Sequence, residues 1–392
     1  MATPHAAAAA AVVGAGIGGL AAAAALHRRG WRVDVCERAQ TLEPVGAGIA
    51  LAPNALRALD TIDAGDALRA HAAIQGRGGI RHPRGGWMTR TDTGAVRARF
   101  GDPVLAVHRA ELVGILADLL PADRLHLGTE AVAVDEGGPI RPARLSTNAG
   151  ELTADAVIVA DGISSSLRAG LFPSHPGVRY AGYTSWRMVV PDPGVAVEPS
   201  ETWGRGARFG IVPLAKDRVY CFATADSTPG QRYDDDHAEL VRRFGDWHAP
   251  IPALLAGAGT DAVLHHDIED LAAPLRAFHL GRVALLGDAA HATTPNLGQG
   301  GCLALEDAVV LAHLLADGSG TDVIPDALAG YTAVRRPRAL EISRRSRRVG
   351  EVAQWSSPLA VAGRNLVLRV SGLLPDAVTA RALDPVVGWS PP

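Results

Sequence analysis

Gly14-Ala15-Gly16-Ile17-Gly18-Gly19 meets the spacing G-x-G-x-x-G through Gly14, Gly16 and Gly19. Ahead of it lies a short apolar run, Ala10 to Val13. Behind it an alanine-rich stretch, Gly19 to Arg29, ends at Gly30. Strand, glycine turn and helix in that order open a β-α-β unit. The first glycine permits the tight turn, the second lets backbone approach a pyrophosphate, and the third lets helix and strand pack closely. The free N–H groups of the helix start then face the phosphates. Arg32 to Glu37 alternates as a strand does through Val33 and Val35, and Glu37 at its end offers a carboxylate to ribose hydroxyls. The motif alone does not separate one dinucleotide from another.

Composition narrows the classes. At about 150 residues per domain, 392 residues suggest two or three domains. With 47% of residues apolar, a large core needs no disulfide or metal support. A net charge of −3 leaves no basic excess for nucleic acid. Cys36, Cys221 and Cys302 are far apart and odd in number, which argues against a disulfide scaffold or zinc site and fits a cytoplasmic protein. Ala6 to Leu26 is long and uncharged, but its four glycines and the lack of Lys or Arg ahead of it argue against a membrane span or signal peptide. No membrane partner is expected.

Along the chain, Asn54 to Leu68 and Glu111 to Leu120 read as helices, and Leu152 to Ala160 as a strand buried on both faces. From Tyr180 to Asp226 short aromatic and β-branched runs, broken at Pro193-Gly194, Gly204-Arg205-Gly206 and Lys216-Asp217, predict a mainly antiparallel sheet. Arg282 to Leu286 is a buried strand and Gly301 to Leu315 a helix. Tyr331 to Arg348 is a long helix that Pro337 either kinks or starts. The expected fold is α/β: a Rossmann-like, glutathione-reductase-like dinucleotide domain with an inserted antiparallel-sheet substrate domain and C-terminal helices. The expected division is 1–75, 100–178 and 270–320 for the first, 76–99 and 179–269 for the second, and 321–392 for the helical end.

Two later motifs decide the cofactor. Asp161-Gly162 continues through Ser165 to Arg168 as D-G-x-x-S-x-x-R. The strand from Arg282 runs into Gly287-Asp288, followed by Pro295, Gly298-Gln299-Gly300-Gly301 and a helix with Glu306-Asp307. GxGxxG, DG and GD in this order, over about Ala10 to Gly350, resemble the group A (para-hydroxybenzoate hydroxylase-like) FAD-dependent monooxygenases. The resemblance implies FAD, with NAD(P)H as co-substrate and no second Rossmann domain to hold it. It implies insertion of one oxygen atom from O2, through a C4a-hydroperoxyflavin, into an electron-rich aromatic or heteroaromatic substrate. Gly14, Gly16 and Gly19 would bind the pyrophosphate, and Glu37 and Arg38 the adenosine. Arg109 would reach the flavin side, Asp161 would support the pyrophosphate region, and Asp288 would bond the ribityl chain. Pro295, Gly298, Gly301 and Cys302 would pass beside the isoalloxazine ring, whose reduced form backbone N–H groups there can stabilise. Cys302 stands where many relatives have Asn, which puts a side-chain contact at that position in question.

The substrate is expected between flavin and middle sheet. Arg208 and Tyr220 lie on successive strands, so one reading makes them cross-strand neighbours, Arg208 stabilising a phenolate-like anion and Tyr220 positioning or deprotonating the substrate hydroxyl. The other reading has both capping the sheet surface. His291 reads as structural. His265-His266-Asp267 is a poor metal site, because neighbours on a strand face opposite ways, and no metal is expected. The Arg335–Arg348 cluster reads as a solvated or inter-helix face. Epoxidation or Baeyer–Villiger oxidation on the same scaffold remains an alternative, as does a non-oxygenating dehydrogenase. A halogenase is disfavoured, since Lys216 is the chain's one lysine and sits in a turn. Monomer and homodimer are both open.

Overall fold

The structure is a computed structural model that describes residues 7–42, 47–259, 262–316 and 323–392. The Ala6 end of the first apolar run and the expected boundary at 320/321 lie outside them. Its frame is a six-stranded sheet in the order His279–Leu280, Val283–Leu285, Ala156–Val159, Ala9–Val13, Arg32–Glu37, Leu125–Leu127. All its neighbours are parallel except the outer pair His279–Leu280 and Val283–Leu285. Ala156, Val157, Ile158 and Val159 are wholly buried, as a central parallel strand with both faces covered requires. Helix Ile17–His27 packs on this sheet and on Gly300–Ala316. Runs of alanine in the first of these helices allow that close approach, and Ala21 to Ala25 are buried.

A second, seven-stranded sheet runs Leu264–Leu271, Val178–Pro191, Arg218–Asp226, Ala207–Leu214, Ser200–Trp203, Gly78–Arg81, Trp87–Thr91. It is antiparallel except where Ser200–Trp203 lies parallel to Gly78–Arg81. Lys216 and Asp217 turn with φ of 62° and 51°, a left-handed pair suited to the hairpin they close. One face buries Phe209, Ile211, Val219 and Cys221 with the helices Asp236–Phe244 and Ile251–Ala256. Strand alternation sends Arg208, Val212, Tyr220, Phe222 and Thr224 to the other face, toward the first sheet.

Three expectations need correction. Asn54 to Leu68 is two helices, Pro53–Asp60 and Gly65–His71, parted at Asp63, whose φ of 59° no helix continues through. Leu152 to Ala160 is two strands: Gly150–Ala154 belongs to a small antiparallel sheet, and the parallel strand begins at Ala156. Asp155 punctuates them, because its carboxylate accepts the N–H of Ala9 at 2.9 Å. The long helix runs Ile324–Ala353 rather than Tyr331–Arg348, so of the two roles expected of Pro337 the start is ruled out and the interior position remains. Three neighbours of that proline are anchored to the body of the protein. Arg335 pairs with Asp307, Arg336 donates to the Leu275 carbonyl at 2.7 Å, and Arg338 pairs with Glu306.

Candidate active site

Between the C-terminal edge of the parallel sheet and the inner face of the second sheet lies a cavity of about 670 Å3. That size and place suit a bound small molecule, since open α/β sheets bind ligands outside the carboxyl ends of their strands. Its wall runs from Glu37 and Arg38, past Gly14, Gly16, Arg109 and Asp161, to Asp288, Pro295, Gly298 and Gly301. Arg208 and Tyr220 close the far side.

The first half fits a dinucleotide. Gly14 has φ +98°, and a Cβ there would lie 2.5 Å from the Ala160 carbonyl oxygen. Gly16 has nothing of the protein within 4 Å of such a Cβ, so its open side faces the cavity. No side chain caps the Ile17–His27 helix, which leaves first-turn N–H groups for phosphate oxygens. Glu37 accepts the N–H of Ala15 at 2.7 Å on one oxygen and that of Ala39 at 2.9 Å on the other. The carboxylate is thus fixed in direction while keeping lone pairs for ribose hydroxyls. One oxygen of Asp161 is buried with no partner in the protein, as expected of an acceptor awaiting a ligand donor. Burial raises the Asp161 pKa, which Ser165 and Arg168 partly offset. Asp288 is raised for the same reason, against the pull of His291, Arg109, Arg187 and Arg168. At the flavin end Gly298 adopts the left-handed conformation, and the Gly300–Ala316 helix starts two residues later. These groups suit FAD.

Two residues expected at the cofactor are not in the cavity wall. A Cβ on Gly19 would sit 1.9 Å from the Gly14 carbonyl oxygen, so this glycine is required for close helix–turn packing. Cys302 is fully buried. Its thiol donates to the Gly298 carbonyl at 3.6 Å, bracing the turn from behind, and burial pushes its pKa up to about 12.

Arg208 and Tyr220 are not opposite each other either. The register pairs Arg208 with Thr224 and Val212 with Tyr220, because the hairpin closes tightly at Lys216-Asp217. Both still face the cavity, one near each end of the same strand pair. Arg208 is 2% exposed. Its Nε donates to Thr224 Oγ1 and Gln354 Oε1, Nη1 to Glu201 Oε1 at 3.0 Å, and Nη2 to Asn296 Oδ1 at 2.8 Å. A guanidinium has five N–H groups, and Tyr183 also takes one of them, so one is left for a ligand. Burial raises the pKa of Tyr220, with Arg187 and Arg109 pulling the other way.

Sequence reasoning missed Glu201, Asn296 and Gln354. Asn296 lay inside the Pro295–Gly298 segment already singled out. Glu201 and Gln354 gave no signal, because their approach depends on tertiary docking of the second sheet and the long helix. His291 is structural: it and Arg335 flank the buried Asp307. The inter-helix reading of the arginine cluster holds for Arg335, which is wholly buried. Among the described residues no group of three or more His, Cys, Asp or Glu could hold a metal. No helix among them is long and apolar enough to cross a membrane.

Fold and site together define a flavoprotein of the aromatic-hydroxylase type. The family profile described as "FAD binding domain" matches residues 7–346. The chain belongs to that family and to its group A (para-hydroxybenzoate hydroxylase-like) flavoprotein monooxygenases, FAD-dependent enzymes of aromatic hydroxylation. It is 40% identical to the aurachin C monooxygenase/isomerase of Stigmatella aurantiaca over 94% of this chain and 95% of that protein. It is 34% identical to the 2-heptyl-3-hydroxy-4(1H)-quinolone synthase of Pseudomonas aeruginosa, again over 94% and 95%. The Klebsiella pneumoniae HpxO structure complexed with FAD and uric acid superposes with a TM-score of 0.88 at 29% identity, covering 97% of this chain and 96% of that one.

Proposed function

We propose that this enzyme hydroxylates a flat, electron-rich heteroaromatic ring that carries an exocyclic hydroxyl or carbonyl oxygen and a ring N–H, using NAD(P)H and O2 in the cytoplasm as a monomer or homodimer. The observation that carries the reading is the pair formed by buried Arg208 and half-buried Glu201, facing the same cavity as Tyr220 and Phe222. The remaining N–H of Arg208 suits an oxyanion or carbonyl, and Glu201 suits an N–H donor. Phe222 and Tyr220 supply aromatic surface for a planar ring. The quinolone synthase and HpxO are named for, or were solved with, fused rings bearing such groups.

Bound FAD, once reduced, supplies the oxygen-activating chemistry. The chain's residues hold, orient and shield. Glu37 and Arg38 would take the adenosine, Gly14 and Gly16 the pyrophosphate, and Asp288 the ribityl chain. Arg109 and the Pro295–Gly301 turn would meet the ring. Tyr220, kept protonated by burial, donates its O–H to the substrate oxygen rather than removing a proton.

Tyr220→Phe is therefore expected to retain FAD but to lower kcat/KM by about 10- to 100-fold, the worth of a hydrogen bond to a charged oxygen. More NAD(P)H should be consumed per product formed. Because the Tyr220 pKa is raised above its ordinary 10, it should add no alkaline limb to the wild-type profile below that pH. Coupling and rate equal to wild type would remove Tyr220 from the mechanism. Glu201→Gln should weaken a substrate with a ring N–H more than its N-methyl analogue, read as a ratio of KM values; equal effects on both would refute that contact.

The whole reading is tested by NAD(P)H oxidation with phenols, hydroxyquinolines, quinolones and purines under labelled O2. One labelled atom in a product names the substrate class. Flavin binding without stimulation or label by any heteroaromatic would overturn the proposed specificity.

A further inference from the structure

The Pro358–Ser371 helix turns the wrong face to water. Its inner side buries Arg364, whose guanidinium donates to the carbonyls of Ala353 and Gly204 and lies over the ring of Trp203. Its outer side carries Leu359, Leu366, Val367 and Val370, and the turn beyond adds Leu373 and Leu374. Leu359 is 86% exposed and Leu373 84%. Single exposed aliphatics are ordinary, but six along one helix face and its following turn form a patch that a chain surrounded only by water does not keep.

The surroundings of this patch are basic. The helix packs against the Trp87–Thr91 strand, where Arg81 and Arg90 flank the Trp87 ring. Arg84, Arg205 and Arg369 are exposed and have no carboxylate partner within ion-pair distance among the described residues. Around His82, partial burial first and then Arg84, Arg369 and Arg364 all disfavour a positive charge, so the local field is positive. Of the acids around it, Glu198 is engaged by Arg90 and Asp384 by Arg99, while Glu351 and Asp376 flank the helix in the chain.

An apolar helix face set among unpaired arginines is complementary to an anionic lipid surface. A two-fold contact with a second copy would cover the leucines but bring two like-charged rims together. We infer that the Pro358–Ser371 helix seats the enzyme peripherally on anionic membrane. Composition gave no sign of this, since it tests only for a span. The placement also has a use. Gln354 lies four residues before the helix and bonds Arg208, so docking would bring the membrane close to the substrate wall and favour substrates that partition into lipid.

The test is cosedimentation of the FAD-loaded enzyme with vesicles of phosphatidylcholine alone, or with a quarter of phosphatidylglycerol. Binding to the anionic vesicles is expected to exceed that to neutral ones by more than about tenfold and to fall with salt. Leu366→Glu/Val370→Glu should abolish it while leaving turnover of a water-soluble substrate unchanged. Arg84→Gln/Arg369→Gln should erase the preference for anionic lipid. Absence of binding to either vesicle, or undiminished binding by the first variant, overturns the inference. So does a solution dimer that the first variant splits while neither vesicle is bound, which would assign the face to a second copy.

Discussion

Gly19→Val is expected to give protein without flavin and with little native fold. Even a methyl group at this position would lie 1.9 Å from the Gly14 carbonyl oxygen, and that oxygen belongs to backbone fixed by the central strand. Overpacking costs about 1–3 kcal/mol where side chains can yield, and here none can. Gly16→Ala separates the two roles of the motif. Its methyl meets no protein atom within 4 Å but projects to the cavity side of the turn. It should leave the thermal midpoint of the apoprotein near wild type while cutting FAD retention. The readings are flavin absorbance per chain and circular dichroism of each variant. A yellow, folded Gly19→Val protein would refute the packing assignment.

The second large effect is expected behind the flavin site. Arg335, Glu306 and Asp307 are all fully buried. Arg335 reaches Glu306 at 2.7 Å and Asp307 at 2.6 Å, and Asp307 also holds His291 and accepts the Gly287 N–H. Glu306 continues through Asn54 to Gln299, beside the Gly298–Gly301 turn. Arg335→Met removes the central cation and leaves buried carboxylates short of a partner, at a cost of about 3–5 kcal/mol. Chemical denaturation measures this directly, and a loss below about 1 kcal/mol would show that Arg338 and His291 suffice.

The same cluster sets a pH window. Burial works against ionising Asp307, but His291 and Arg335 outweigh it and hold its pKa well below 3.8. Its stabilisation is therefore present above that ordinary value and fades as pH falls through the lower, folded one. Burial likewise opposes charge on His291, yet Asp307 raises its pKa above 6.5. That share is present below 6.5 and fades as pH rises through the raised value. Stability should be greatest between roughly pH 4 and 6.5, and His291→Gln should remove the alkaline decline.

Much of this was legible in the chain because it rests on local chemistry. The Gly14–Gly19 turn, the Arg32–Glu37 strand and the Lys216-Asp217 hairpin each carry their own signal. The Asp161 and Gly287-Asp288 motifs follow buried strands whose apolar runs announce them. What stayed hidden depends on tertiary placement. Leu152 to Ala160 reads as one strand until Asp155 finds the Ala9 amide 146 positions away. Pro337 reads as a kink or a start, and only the packed structure places it inside the helix. Arg208 could be guessed as polar and inward, but its bonds to Glu201, Asn296 and Gln354 span up to 146 positions, and no periodicity encodes them.

The order of the parallel sheet carries a consequence for biosynthesis. Ala9–Val13, made first, is flanked by Arg32–Glu37 on one side and by Ala156–Val159 on the other, and Val283–Leu285 pairs beyond that. A ribosome must therefore release well over two-thirds of the chain before the sheet can close, and non-local parallel pairing is slow even then. During that interval the alanine-rich first helix has neither Ala156–Val159 nor the Gly300–Ala316 helix to cover it. Nascent chains of this topology are exposed to aggregation until late in synthesis, and cofactor capture can only be one of the last steps of maturation.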